Sequence, residues 1–151
     1  MLVGLSKDDA DAYCELLDRN REHLSRLGDY QEEKDATPEW VAAHLRLVHD
    51  GSLRLGVHLA GRLIGRVDLV AVDPPKYALG YWLDHCHLRQ GIATVACSAV
   101  IDYARETVAA TELFAGVTHG NDASVALLGR LGFRPVVAFE RYTRFHLPVN
   151  R

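Results

Sequence analysis

Residues His85, Cys86 and His87 stand side by side, with Arg89, Gln90, Gly91 and Thr94 following shortly after. Two chemistries suit such a run. Imidazole and thiolate ligate zinc, which takes about four N or S ligands in a tetrahedron. Adjacent residues such as His85 and Cys86 rarely converge on one ion, and no CxxC or HxxxH elsewhere completes a set. The other chemistry is anion binding. A helix start carries N–H groups with no partner inside the helix, and the helix dipole adds partial positive charge there. An anion satisfies both. Gly91 lets the backbone approach it, Ala93 keeps space open, Thr94 adds a hydroxyl and Arg89 a cation. A metal is not expected; on these residues alone Gly91 also suits plain helix capping, and whether residues 89–94 form an anion cradle with His85 and His87 on its rim turns on the elements around them.

These residues need elements to hold them. A short apolar start, Leu2 to Leu5, reads as an edge strand, and residues 6–20 as a helix capped by Ser6 with Ala10, Tyr13, Leu16 and Leu17 on one face. Residues 21–36 are charge-rich without a clean period, which predicts a loop with short helical turns. In residues 37–51, Thr37 caps a helix, Pro38 opens it, Trp40, Val41, His44, Leu45 and Val48 form its stripe, and Gly51 ends it. The period then changes. Residues 52–61, 63–72 and 76–84 read as three strands, joined too tightly for crossovers and hence antiparallel. The cradle helix follows over residues 90–106, with Ile92, Val95, Ala96, Ala99, Val100 and Tyr103 as its expected apolar face. A strand over 111–119, a helix capped by Asn121 or Asp122 and closed by Gly132, and one or two last strands bent near Pro135 complete the chain.

The order of motifs resembles the GNAT superfamily of acyl-coenzyme A-dependent N-acetyltransferases, and more closely its ribosomal-protein N-terminal (Rim-type) branch. The resemblance rests on Gly80-Tyr81-Trp82-Leu83, Gly91-Ile92-Ala93-Thr94, Asn121 with Ser124, and Leu131-Gly132-Phe133, at matching spacings, with "LDRNREHL" near the start. It implies the acyl-CoA N-acyltransferase fold of the α+β class, a mixed, mostly antiparallel sheet flanked by helices, as one domain over residues 1–151. It also implies acetyl-CoA as co-substrate: Arg89, Gln90, Gly91, Ile92, Ala93 and Thr94 on its diphosphate, the strand with Tyr81 and Leu83 along its pantetheine arm, and Asn121 as a further contact. The superfamily's loop motif opens with Arg or Gln where this chain has Leu88.

Acetyl transfer to an amine needs a neutral amine, an oxyanion donor and a proton for the departing thiolate. The tyrosine that many superfamily members place four residues before the "LGF" glycine is Leu128 here, and the Rim-type glutamate two residues before the "GYWL" glycine is Ala78. Ser124 is the expected proton donor in their stead. For the base, His119 leads on the pKa of its residue type, with Asp68, His85, Glu140 and Asp84 behind it. A lysine amine with pKa near 10.4 is neutral about once in 2,500 molecules at pH 7, an α-amine near 8 about once in ten. A site with a weak base thus favours a protein N-terminus or a weakly basic small-molecule amine. The alternative is a module of the same fold that binds acyl-CoA without turnover.

Composition sets the outer bounds. The 151 residues suffice for one core, and 48% hydrophobic with 25% charged residues is a globular balance rather than a disordered one. A net charge of −3 offers nucleic acid and anionic membrane no global attraction. Cys14, Cys86 and Cys97 show no disulfide pattern, and nothing at the start reads as a signal peptide, so a cytoplasmic protein is expected. Partners are expected to be the amine acceptor alone, with a homodimer left open. By position in the family, residues 21–36 and 136–149, with Tyr30, Glu32, Glu33, Glu140 and Tyr142, would line the acceptor pocket.

Overall fold

The computed structural model describes residues 2–27, 36–46, 52–88 and 90–149. Arg89, Val48 and the helix end expected at Gly51, and residues 28–35 of the charge-rich stretch, including Tyr30, Glu32 and Glu33, lie outside the described residues.

A seven-stranded sheet runs through the molecule in the order β1-β2-β3-β4-β5-β7-β6. Strand β1 (Leu2–Gly4) is an edge, antiparallel to β2 (Leu53–Leu59). Strands β2, β3 (Arg62–Asp73) and β4 (Lys76–Leu83) form an antiparallel meander. Its first turn has positive φ at both Ala60 and Gly61, the sign a two-residue type I′ hairpin demands. Strand β5 (Glu112–Thr118) is parallel to β4 and antiparallel to β7 (Tyr142–Pro148), which pairs in turn with the edge strand β6 (Arg134–Ala138). The tail is thus two strands. A register shift between Pro135 and Val137 marks the expected bend, while the chain reversal falls later, between Ala138 and Tyr142.

Four helices cover the sheet among the described residues: α1 (Ala10–Leu27), α2 (Pro38–Arg46), α3 (Ile92–Glu106) and α4 (Asp122–Arg130). Before α1, residues 7–9 form a 3-10 turn closed by a capping box. Ser6 Oγ accepts from the Asp8 amide at 3.3 Å, and Asp9 Oδ2 accepts from the Ser6 amide at 2.9 Å. Thr37 Oγ1 caps α2 by accepting from the Trp40 amide at 3.1 Å. The expectation of a loop from residue 21 is corrected: α1 continues to Leu27. Leu24 is fully buried and extends the spacing of Tyr13, Leu17 and Asn20, so one apolar stripe carries the helix through its charged residues.

Strand alternation divides the core into two layers. Tyr77, Leu79 and Leu83 of β4 and Leu113, Ala115 and Val117 of β5 face α3 and α4. Trp82 points the other way, with Leu63, onto Tyr13, Leu16 and Leu17 of α1 and Val41 of α2. Tyr13 meets the Trp82 ring edge-on at 6.2 Å. On α3 the buried residues are Ala96, Cys97, Val100, Ile101 and Ala104, while Val95 is 71% exposed. The expected face is therefore rotated. The helix is apolar nearly all round, so periodicity alone leaves its phase open.

Helix α1 is tied to the end of β4 by polar contacts. Arg19 Nε and Nη2 donate to Asp84 Oδ2 at 3.2 and 3.1 Å, and the Asp84 amide donates to the Ile64 carbonyl at 2.7 Å. Burial alone would raise the Asp84 carboxyl, but the Cys86 amide, the Arg19 guanidinium and His85 outweigh it and hold it below the usual aspartate range. The charged form is thus favoured in the fold. Its contribution to stability is whole above the ordinary aspartate pKa of about 3.9 and is lost as pH falls through the lower folded value. Asp84→Asn is expected to cost about 2 kcal/mol in urea titrations at pH 7. The gap to wild type should hold constant from about pH 8 to 5 and shrink below about pH 4.

Candidate active site

Strands β4 and β5 pair over three residues only, Lys76 to Ala78 with Glu112 to Phe114. Past this point they part. Strand β4 stays bound to β3 out to Leu83, and β5 stays bound to β7 out to Thr118. Each strand is therefore held by its outer neighbour, and the wedge between them stays open. It forms a groove of about 1110 Å³, lined on one side by Leu79 to Leu83 and on the other by Ala115 to Val117.

Helix α3 begins at the mouth of this groove. Its N-cap is Gly91, at φ +78°, a conformation that L side chains rarely adopt. No described side chain caps the helix, and a Cβ added at Gly91 would meet open space. Gly91, Ile92, Ala93 and Thr94 line the groove, whereas Gln90 is exposed beside it. The first amides of α3 are thus presented, without a side-chain competitor, to whatever occupies the groove. The sequence reading missed Arg130, at the end of α4. It lines the same groove and donates from Nη2 to Thr94 Oγ1 at 3.4 Å, adding positive charge at the mouth. His23 of α1 and the half-buried His87 also line it. No local motif marks Arg130 or His23; their approach is a product of helix packing.

Helix α4 brings the other residues. Asn121 is its N-cap, with Oδ1 accepting from the Ser124 amide at 3.3 Å. Its far end closes as a Schellman motif: the Phe133 amide donates to the Leu128 carbonyl at 2.9 Å and the Gly132 amide to Gly129 at 3.1 Å, with Gly132 at φ +98°. Asn121 and Ser124 both line the groove. From β4, Tyr81 reaches across and donates its hydroxyl to Ser124 Oγ at 2.8 Å. Burial pushes the Tyr81 phenol up to about 12, against the lowering pull of Ser124 and Arg130, so it stays protonated at neutral pH. Leu128 is fully buried in the core and supplies no acid.

The expected base is not brought here. His119 is exposed, is absent from the groove lining, and holds its Nε2 at 2.8 Å from the Phe139 carbonyl in the turn before β7. Asp68 stands opposite Gly80 in the β3–β4 register but is not part of the groove lining, and it pairs with Arg66 at 3.0 Å. Glu140 is exposed in the same turn as Phe139, and Asp84 is committed to Arg19. The metal question takes a different form from the one the sequence posed. Ligand atoms of Asp84, His85 and Cys86 do converge, within 4.8 Å of one another. However, Asp84 Oδ2 already accepts from Arg19, and His85 Nδ1 faces Asn20 Oδ1 at 2.9 Å.

Comparison with known proteins agrees with this geometry. The family model described as an acetyltransferase (GNAT) domain matches residues 1–134. A Bacillus subtilis protein named as a ribosomal N-acetyltransferase, YdaF, is 27% identical over 139 residues, covering 85% of this chain and 74% of its own. A second from the same organism, named as the N-acetyltransferase YjcK, is 30% identical over 139 residues, covering 85% and 77%. Among solved structures, RimL, a ribosomal-protein alpha-N acetyltransferase in complex with coenzyme A, superposes with a TM-score of 0.84 at 18% identity, covering 98% of this chain and 93% of its own. The chain belongs to the GNAT acetyltransferase family.

Proposed function

We propose that this acetyltransferase uses acetyl-CoA and transfers the acetyl group to a primary amine of low basicity, foremost a protein N-terminal α-amine, by direct attack within a ternary complex. The observation that carries the reading is the groove itself. It runs from the uncapped start of α3 to the Tyr81–Ser124 hydroxyl pair, between two strands that form no ladder with each other beyond Ala78 and Phe114. The amides of Ile92, Ala93 and Thr94, with Arg130 and Arg89, would hold the diphosphate, and Gln90 would flank it. The β4 edge from Tyr81 to Leu83 would pair with the pantetheine arm as a further strand would. Asn121 would contact the coenzyme near the Ser124 hydroxyl. That RimL, of the same fold, is found in complex with coenzyme A supports the choice of coenzyme.

Ser124 is the proposed proton donor to the departing thiolate. Tyr81 donates to its oxygen, which leaves the serine hydrogen free to turn toward the sulfur. His119 has no part in this proposal, since its Nε2 is held 2.8 Å from the Phe139 carbonyl and the residue is not part of the groove lining. With Ala78 and Leu128 at the positions where the family carries a carboxylate and a phenol, an acceptor that is already partly neutral loses least rate. The name ribosomal N-acetyltransferase carried by YdaF supports a protein amine.

Gly91→Glu places a carboxylate against the diphosphate and strains the backbone at positive φ. Calorimetry is expected to show coenzyme A binding weakened by about a hundredfold or more, with the circular dichroism spectrum unchanged. Normal binding by the variant would remove the cradle. Ser124→Ala should lower kcat by about tenfold to a hundredfold while leaving KM for acetyl-CoA within about twofold. Thiol release should be faster with a peptide offering a free α-amine than with the same peptide blocked there and offering lysine. Equal rates would rule out the preference for a weakly basic amine, and no turnover with any amine would leave a binding module.

A further inference from the structure

Cys86 is the exposed cysteine of this chain, whereas Cys14 is half-buried and Cys97 buried. Its thiol belongs to a constellation of three side chains drawn from two elements. Asn20 of α1 donates from Nδ2 to the Leu16 carbonyl at 2.8 Å, which turns its Oδ1 toward the start of the short turn at His85–His87. That oxygen accepts from the His85 amide at 2.8 Å and from His85 Nδ1 at 2.9 Å. Asp84 Oδ1, a second acceptor, lies 3.4 Å from the same nitrogen. The ring proton is therefore held on Nδ1, and Nε2 keeps its lone pair. Nε2 lies 3.5 Å from Cys86 Sγ. A nucleophile, a base and a group orienting the base stand in the order by which histidine activates a cysteine.

The surroundings select the reaction. Attack on an acyl carbon needs free N–H donors for the developing oxyanion. Here the amide of His85 goes to Asn20, that of Cys86 to Asp84 Oδ1 at 3.2 Å, and that of His87 to the Asp84 carbonyl at 2.9 Å. Exchange with a disulfide needs a thiolate and access alone. A metal fits less well, because of the three converging groups only His85 Nε2 and Cys86 Sγ are uncommitted. Cys86 is also absent from the groove lining, so the site is separate from the acetyl-transfer machinery.

We propose that Cys86, activated by His85 and oriented through Asn20, is a thiol–disulfide exchange site for small-molecule disulfides. The Sγ–H bond breaks, with the proton passing to His85 Nε2. Sγ attacks one sulfur of the disulfide, the S–S bond breaks, and the departing thiolate takes the proton back. One mixed disulfide on Cys86 and one free small thiol form per disulfide consumed, with no other oxidant. A free cysteine is only a few per cent thiolate at pH 7, so proton removal by the imidazole should speed exchange about tenfold or more.

Oxidised glutathione serves as the probe on the full native chain, with peptide mass locating the adduct. The first adduct is expected on Cys86, to be lost in Cys86→Ser, and to form about tenfold more slowly in His85→Gln. A wild-type rate in His85→Gln, or a first adduct on Cys14, overturns the proposal. A second arm needs no substitution: labelling of Cys86 in the native wild type should outpace its labelling in denaturing urea, and an equal or faster rate in urea also overturns it. Neither arm depends on coenzyme binding.

Discussion

Strands β4 and β5 stop pairing after three residues because each is committed more strongly to its outer neighbour. Strand β4 follows β3 along its whole length, and β5 follows β7 in the same way. A parallel pair between two such strands survives only where their twists agree, and beyond Ala78 they diverge. Divergence inside a sheet exposes backbone donors and acceptors that ordinarily have partners. An extended ligand can use them as a strand would, and the open end of the wedge is where α3 begins with uncapped amides. The groove is thus a consequence of the ladder, with side chains adding selectivity.

What keeps the mouth in place is the seam between α1 and the end of β4. Arg19 and Asn20 are neighbours on α1, and they grip Asp84 and His85, neighbours on the connecting turn. These contacts tie the turn at His85–His87 to α1 and to the sheet, a few residues ahead of the start of α3. The same grip sets the tautomer of His85 and brings it to Cys86. One set of contacts serves the stability of the helix seam, the placement of the groove mouth and the chemistry of an exposed thiol.

Much of this was legible in residue order. The capping residues Ser6, Thr37 and Asn121 each accept the amide bonds their types suggest, and Gly132 ends α4 at positive φ. The three strands of the meander fall where the change of period put them, and alternation along β4 sends Leu79 and Leu83 to one face and Trp82 to the other. The failures have physical causes. Helix α1 outran its expected end because Arg21 and Glu22 hid an apolar stripe that resumes at Leu24. The face of α3 was misphased because Val95, Cys97 and Ile101 are all apolar, so the packing partner rather than the pattern chose the buried side. His119 was drawn toward the site by its residue type, whereas the β6–β7 turn captured its ring.

Local order by itself determined the elements, their caps, the antiparallel meander and a glycine at a helix start, because each depends on neighbours a few positions away. The tertiary structure alone decided that β4 and β5 part, that Tyr81 meets Ser124 from 43 positions away, and that Arg130 reaches Thr94 from 36. It also decided that Asn20 meets His85 across 65 positions. Such contacts have no signature in spacing. They follow from which faces the core buries and which ladders win, and those outcomes are set by the whole sheet at once.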